Sequence, residues 1–294
     1  MIPIFPEFAP IELEHKPEVD EVLARLRPLA SEYTFTNLFA WGEVSGYKLS
    51  RFEDGLLIRK GREDGLSFLQ PLTPDGSGGA ITTCLASAGR IERVGEDFLT
   101  RLAADKLPGT PLEVRDDFDY VYSVPELIEL RGEKYHDKKN LLNQLDKYYS
   151  WSYHPMTPEI VERCLRFQHE WCEERDCEAH ESLSRENCAT YRMLSNFTAL
   201  NLHGGMIEID GRIVAITLGE PLNADTFVIH VEKAMGGITG LYQAINREFL
   251  CDAAASFPYV NREQDLGVPG LRKAKLSYNP VRMIRKFTIV ASGS

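Results

Sequence analysis

Two Asp-Gly pairs, Asp54-Gly55 and Asp210-Gly211, each stand between runs of strand-forming residues. Nothing else in the chain constrains its fold as much. Asp-Gly accepts the left-handed backbone of a two-residue turn, so each pair predicts an antiparallel hairpin. The hairpins are Tyr47 to Phe52 with Leu56 to Lys60, and Met206 to Ile209 with Ile213 to Leu218. Similar elements surround both. In the second half a short strand at Trp151 to His154 precedes a helix from Glu159 to about Arg175. Its Ile160, Val161, Cys164, Leu165, Phe167 and Trp171 share one broad face. A second helix, about Arg185 to Leu200, leads into the hairpin. A third strand (Thr226 to Val231), the loop Met235 to Gly240 and a helix from Leu241 to Ala254 follow. A short strand at Tyr259-Val260, a short helix from about Gly270 to Lys275 and a last strand from Arg282 to Val290 complete the half.

The first half repeats this order more weakly. Helices at Glu18 to Arg27 and Phe35 to Trp41 precede the hairpin, and a strand around Leu66 to Leu69 follows it. The loop Asp75-Gly76-Ser77-Gly78-Gly79, a helix near Ala80 to Ala88, a strand at Ile91 to Val94 and a helix at Glu96 to Ala104 come next. The repetition predicts a duplication: an α/β (α+β) chain of two domains, 1–135 and 150–294, linked by a helix over 136–149 that aligns Leu141, Leu142 and Leu145. The order resembles the acetyltransferase-like (acyl-CoA N-acyltransferase) fold. That likeness implies two tandem domains with mixed, largely antiparallel sheets.

Composition removes several classes of function. At 294 residues, 43% hydrophobic and 26% charged, the chain is long enough for a sizeable core. Its net charge of −11 argues against non-specific binding to nucleic acid or anionic lipid, while leaving room for a local basic strip such as Arg131, Lys134, Lys138, Lys139 and Lys147. No apolar run approaches the ~18 to 20 residues of a membrane span, and the proline-broken start reads as no leader. A cytoplasmic protein without integral membrane contact is expected. The six scattered cysteines read as reduced, mostly buried thiols.

The stretch from Tyr259 to Pro280, with Asn261-Arg262-Glu263-Gln264-Asp265-Leu266-Gly267 at its head, resembles the signature of bacterial proteins grouped with the C-terminal domain of phosphatidylglycerol lysyltransferase. Gly132 to Asn140, Gly204 to Glu220 and His230 to Ala234 fit the same family. The resemblance covers essentially the whole chain. It implies an acyl- or aminoacyltransferase whose donor is aminoacyl-tRNA or, as the wider fold suggests, acyl-CoA, with no permanently bound cofactor. The acceptor would be an amine or hydroxyl on a small molecule or lipid headgroup. The membrane-spanning half of the lysyltransferases has no counterpart in these residues, which weighs against lipid. The rival is a non-catalytic ligand-binding or regulatory protein that keeps the fold.

The candidate site is expected in the second domain. His230-x-Glu232-Lys233 ends the third strand beside the glycine loop. Glu232 is placed to act as a general base, Lys233 to reach a donor phosphate, and His230 to support them. Glycines Gly236, Gly237 and Gly240 let the backbone approach an anion at the helix start, though such loops are common as plain helix entries. Downstream, Glu263 and Asp265 are candidate acids or bases. Arg272, Lys275 and Tyr278 are candidate donor-binding residues, with Asn261, Arg262 and Glu181 in support. A structural salt-bridge network explains the same charges about equally well. His169, Cys172, Cys177 and His180 invite a zinc reading, but four ligands within so short a run match no familiar site, and no metal is expected.

Overall fold

The computed structural model describes residues 1–62, 65–74, 78–102 and 107–291. The chain folds into two compact units. One comprises Met1–Asp119, Gln264–Val268 and Met283–Ser294; the other comprises Tyr120–Glu263 and Pro269–Arg282. In chain order the first stretch runs β1 (Ala9–Pro10), α1 (Lys16–Leu26), α2 (Phe35–Ser45), β2 (Tyr47–Phe52), β3 (Gly55–Arg62), β4 (Gly65–Leu69), α3 (Gly78–Ala88), β5 (Arg90–Gly95), α4 (Glu96–Arg101) and β6 (Gly109–Glu113). It continues with β7 (Asp119–Ser123), α5 (Val124–Glu129), α6 (His136–Tyr148), β8 (Trp151–Pro155), α7 (Val161–Glu174), α8 (Glu181–Ser195), α9 (Phe197–Leu200) and β9 (His203–Ile209). The rest is β10 (Arg212–Pro221), β11 (Thr226–Ala234), α10 (Leu241–Phe249), β12 (Tyr259–Asn261), α11 (Pro269–Leu276), β13 (Arg282–Ile284) and β14 (Lys286–Ala291).

Both sheets are mixed. The first has the order β1-β2-β3-β4-β5-β14-β6, antiparallel throughout except where β5 lies parallel to β4. In the second, β7, β12, β11, β10, β9 and β8 lie side by side, and the parallel pair is β11 with β12. Two helices, an antiparallel three-strand meander, a helix and a parallel strand therefore follow one another in each unit. A buried cluster that includes Leu57, Phe68, Ile81, Cys84, Ile91, Phe98 and Ile289 fills one side of the first sheet.

The hairpins form, with one shift. In the second, Ile209 pairs with Arg212, and Asp210 and Gly211 take positive φ of 51° and 75°. In the first, Phe52 pairs with Gly55, so the turn is Glu53-Asp54, one residue earlier than predicted. Gly55 serves another end: a Cβ there would lie 2.2 Å from the Leu72 carbonyl oxygen. The last strand, predicted to be continuous, breaks at Arg285 into β13 and β14. The helix predicted to reach Ala254 loses α-helical pairing after Phe249 and ends in a π-turn over Leu250–Ala254. Short β6, β7 and α5 carry too little periodicity to be predicted. The first half's glycine loop lies largely outside the described residues. Cys172 and Cys177 are joined in a disulfide, contrary to the all-thiol expectation, and Cys188 and Cys251 are exposed rather than buried. Two bridged sulfurs cannot serve as thiolate ligands, which removes half of the zinc reading. No helix among the described residues is long and apolar enough to cross a membrane.

Candidate functional site

β11 and β12 run parallel for only three residues, Thr226 to Val228 against Tyr259 to Asn261. β12 then ends while β11 continues to Ala234. The chain leaves β12 through a side-chain-supported turn, in which Asn261 Oδ1 accepts the Glu263 N–H at 2.8 Å and Glu263 takes φ of 56°. On its other edge β11 carries a bulge. Pairing with β10 jumps from Leu218–Val231 to Gly219–Ile229, leaving His230 as the extra residue. A bulge reverses the alternation of side chains beyond it. Phe227 and Glu232, an odd number of residues apart, thus both meet α10, through Phe249 and Asn246. The His230 imidazole is fully enclosed although the residue is half-buried, so what it exposes is main chain.

Two charged groupings meet at this point. Glu232 Oε2 accepts from Arg262 Nε at 2.9 Å and Nη2 at 2.6 Å, and its Oε1 accepts from Asn246 Nδ2 at 2.9 Å. Arg262 lies over the Tyr278 ring at 4.7 Å and the Tyr122 ring at 5.6 Å. Burial works against its charge, but Glu232 outweighs burial and keeps the guanidinium ionised. Its Nη1 is buried with no hydrogen-bond partner among the described residues. In the second grouping His230 Nδ1 is 2.9 Å from Glu263 Oε1, and its Nε2 is 3.0 Å from Glu220 Oε1. Burial alone would lower the imidazole's pKa. The two carboxylates prevail and raise it to about 9, so at neutral pH His230 is an imidazolium and cannot accept a proton. Lys275 ties the groupings together by donating to the main-chain carbonyls of Arg262 and Glu263. Lys138, lowered in pKa by burial and by Arg262, places its Nζ 4.1 Å from the centre of the Tyr278 ring.

The sequence matches the family described as "Phosphatidylglycerol lysyltransferase, C-terminal" over residues 23–290. The chain belongs to that family. A crystal structure of a conserved protein of unknown function from Bacteroides thetaiotaomicron is similar at 31% identity and a TM-score of 0.89, over 99% of this chain and 100% of the other. A C-terminal domain from Agrobacterium fabrum described as that of a "Putative Lysylphosphatidylglycerol Synthetase" shares the fold at 11% identity, TM-score 0.65, over 96% and 93% of the two chains. So does L-PGS from Bacillus licheniformis, at 12% identity, TM-score 0.66, over 100% and 95%. No curated protein matches the chain.

In this family member the structure gathers Glu232, Glu263, His230, Asn261, Arg262, Lys275 and Tyr278, but it separates the others. Lys233 points to the opposite face of the sheet from Glu232, as strand alternation requires of adjacent residues. There its Nζ is buried 4.0 Å from the Trp171 ring and 3.1 Å from Glu186 Oε1, an ion pair without hydrogen-bond alignment, and burial lowers its pKa. Asp265 groups with the first unit, fully buried, accepting from Gly267 N–H at 2.9 Å and paired with Arg115 at 3.3 Å. That sealed geometry does not suit the acid–base role expected of it. Lys275, expected on a donor phosphate, is committed inward to carbonyls. Arg272 is half-buried on α11, and Glu181 is exposed at the start of α8. Gly236 N–H already donates to Glu174 Oε1 at 3.2 Å, and Gly237 is exposed with φ of 78°. Gly240 is buried with φ of 93°, against the Leu141 carbonyl.

Sequence reasoning missed Glu220, Tyr122 and Asn246. Asn246 left a signal: a polar residue inside the apolar stripe of α10 marks a buried partner. Glu220 left none, because its meeting with His230 depends on the bulge.

Proposed function

We propose that the second unit carries an aminoacyl- or acyl-transfer site, with aminoacyl-tRNA or acyl-CoA as donor. The observation that carries this reading is the Arg262 guanidinium, held by Glu232 and the two tyrosine rings with one buried N–H donor unused, beside the exposed main chain of the His230 bulge. A guanidinium N–H held in this way suits an ester or thioester carbonyl whose oxygen becomes negative during attack. Glu263, oriented by the His230 imidazolium, takes the proton of the attacking amine or hydroxyl. The new N–C or O–C bond forms as the carbonyl π-electrons move to oxygen. Collapse of that oxyanion breaks the bond to the tRNA 3′-oxygen or CoA sulfur, which leaves with the proton. Glu232 is then a positioning residue, acting through Arg262.

Family membership favours an aminoacyl donor, since the family is described as the C-terminal part of phosphatidylglycerol lysyltransferase. The two units are proposed to be tandem acetyltransferase-like domains, with the expected division into 1–135, a linking 136–149 and 150–294 redrawn so that 120–149 belongs to the second unit and 283–294 to the first. The protein is proposed to need no resident cofactor and to act in the cytoplasm. The test is transfer of label from a panel of aminoacyl-tRNAs and acyl-CoAs to soluble amines and to phosphatidylglycerol vesicles. Donor-dependent product that disappears with Glu263→Gln supports the reading. Saturable donor binding with no product from any acceptor would make the protein a ligand-binding relative instead.

A further inference from the structure

A recess of about 160 Å³ lies on the second unit between α7 and the β9–β10 turn. Arg163, Arg166, Phe167 and Glu170 line it from one helix face at the i, i+3, i+4, i+7 spacing, and Arg212 and Ile213 line it from the hairpin. Three arginines and one carboxylate among its lining residues run against a chain whose acids outnumber its bases 44 to 33. We infer that this recess binds a phosphate ester.

Three features favour that ligand over a set of structural ion pairs. Arg163 is fixed in place: its Nη2 donates to Glu208 Oε1 at 2.5 Å and to the Gly211 carbonyl at 3.2 Å. Glu208 is only 17% exposed, so this anchor is firm while other guanidinium N–H groups remain for a ligand. The other two arginines are held loosely. Arg212 pairs with Glu170 at 2.8 Å with both side chains largely in solvent, and Arg166 reaches Glu162 only at 3.5 Å. Exposed pairs of this kind are worth little, so an anion can displace them at small cost. Finally, Phe167 and Ile213 are buried and give the recess an apolar floor, which strengthens charge–charge attraction above it. A fixed guanidinium with two adjustable ones suits the several oxygens of a phosphate better than a single carboxylate.

The proposal does not depend on the transfer reading, because its test reads binding alone. Isothermal titration is run with inorganic phosphate, with adenosine 3′,5′-bisphosphate and with a short single-stranded RNA, on the intact chain and on Arg166→Ala/Arg212→Ala, which leaves the Arg163 anchor in place. The expected result is saturable, salt-weakened binding of at least one phosphate compound that falls roughly tenfold or more in the double variant, with unchanged melting. Binding of the bisphosphate alone marks a small-molecule site, and binding of RNA as well marks a polymer backbone; either supports the assignment. No phosphate binding, equal binding by the double variant, or equal affinity for succinate would overturn it.

Discussion

The two units each bury a dense set of charges, and they do so differently. In the first, Lys286 Nζ sits 2.5 Å from Glu32 and 2.6 Å from Asp119, both its own side chain and that of Asp119 being wholly enclosed. Ser31 donates to Asp119 through its N–H and its hydroxyl, and Arg93 bridges Glu32 and Asp117. Each charge has an opposite charge within 3.5 Å, even at Arg93 Nη1, which makes no aligned hydrogen bond among the described residues. In the second, Glu232, Arg262 and Glu263 are 11–18% exposed, much as Arg93, Asp117 and Glu32 are, but Arg262 Nη1 is buried with no hydrogen-bond partner among the described residues, whereas Arg93 Nη1 lies 2.6 Å from Asp117. A closed network secures structure, since breaking it strands a charge. A network with a donor left unused keeps capacity for a ligand. The difference teaches that charge density alone does not find a site; incomplete satisfaction does.

Lys286→Met should break the first network with the largest effect of all. It leaves Glu32 and Asp119 adjacent and buried without their shared cation, a loss of about 3–5 kcal/mol. Burial already raises the Glu32 pKa against the pull of Lys286, so the variant should also take up a proton there on folding. Chemical denaturation at neutral and mildly acidic pH measures both. If the midpoint barely moves, the first network is no keystone and the contrast between the units fails.

His230 gives the second network a pH signature. Its folded pKa of about 9 lies above its ordinary value near 6.5. The protonated form is therefore the one that folding favours. Its contribution, about 3 kcal/mol for a fully enclosed group, is complete below pH 6.5 and is lost as pH rises through 9. Melting of the second unit should fall across that interval, and His230→Gln should flatten the slope. A wild-type profile that stays level from pH 6.5 to 9.5 would show that the imidazole is not held charged.

Glu263→Gln separates catalysis from structure. As a proton acceptor, Glu263 should be worth about a hundredfold in transfer rate, near 2.7 kcal/mol. As an orienting partner of His230 only, its loss should lower melting and reduce rate no more than His230→Gln does. Rate and melting are read on the same samples. Equal losses in the two variants would assign Glu263 to structure.

Much of this was legible in the sequence, for reasons that can be named. The Asp210-Gly211 turn, the amphipathic α7 and α10 and the position of the Glu232 and Glu263 segments follow from local chemistry, which short-range patterns record. The tyrosine pair around Arg262, the Glu220–His230 contact and the burial of Asp265 depend on chain segments far apart in sequence. The β11 bulge mattered most: strict alternation would have left Glu232 and Phe227 on opposite faces. Lys233 was misplaced for the complementary reason, since adjacent strand residues cannot share a face. The pattern of β14 was readable as a strand, but not its place between β5 and β6.

The smallest effect concerns the glycine loop, and it sharpens the contrast between capacity and closure on a single segment. At Gly240 a Cβ would meet the Leu141 carbonyl oxygen at 2.3 Å, and φ is 93°. Neither backbone can give way easily, so Gly240→Ala should be poorly tolerated. At Gly236 the φ is ordinary, and a Cβ would meet only Glu174 Oε1, at 2.4 Å. That oxygen ends a flexible side chain at the exposed last turn of α7, so it can swing aside. Gly236→Ala should change stability by less than ~0.5 kcal/mol while releasing the Glu174 carboxylate from the loop amide. If the loop serves an anionic donor, Glu174 competes for that amide, and Glu174→Gln should tighten donor binding slightly, with melting unchanged. Equal donor affinity in wild type, Gly236→Ala and Glu174→Gln would mean that the loop only starts α10, as Gly240 does.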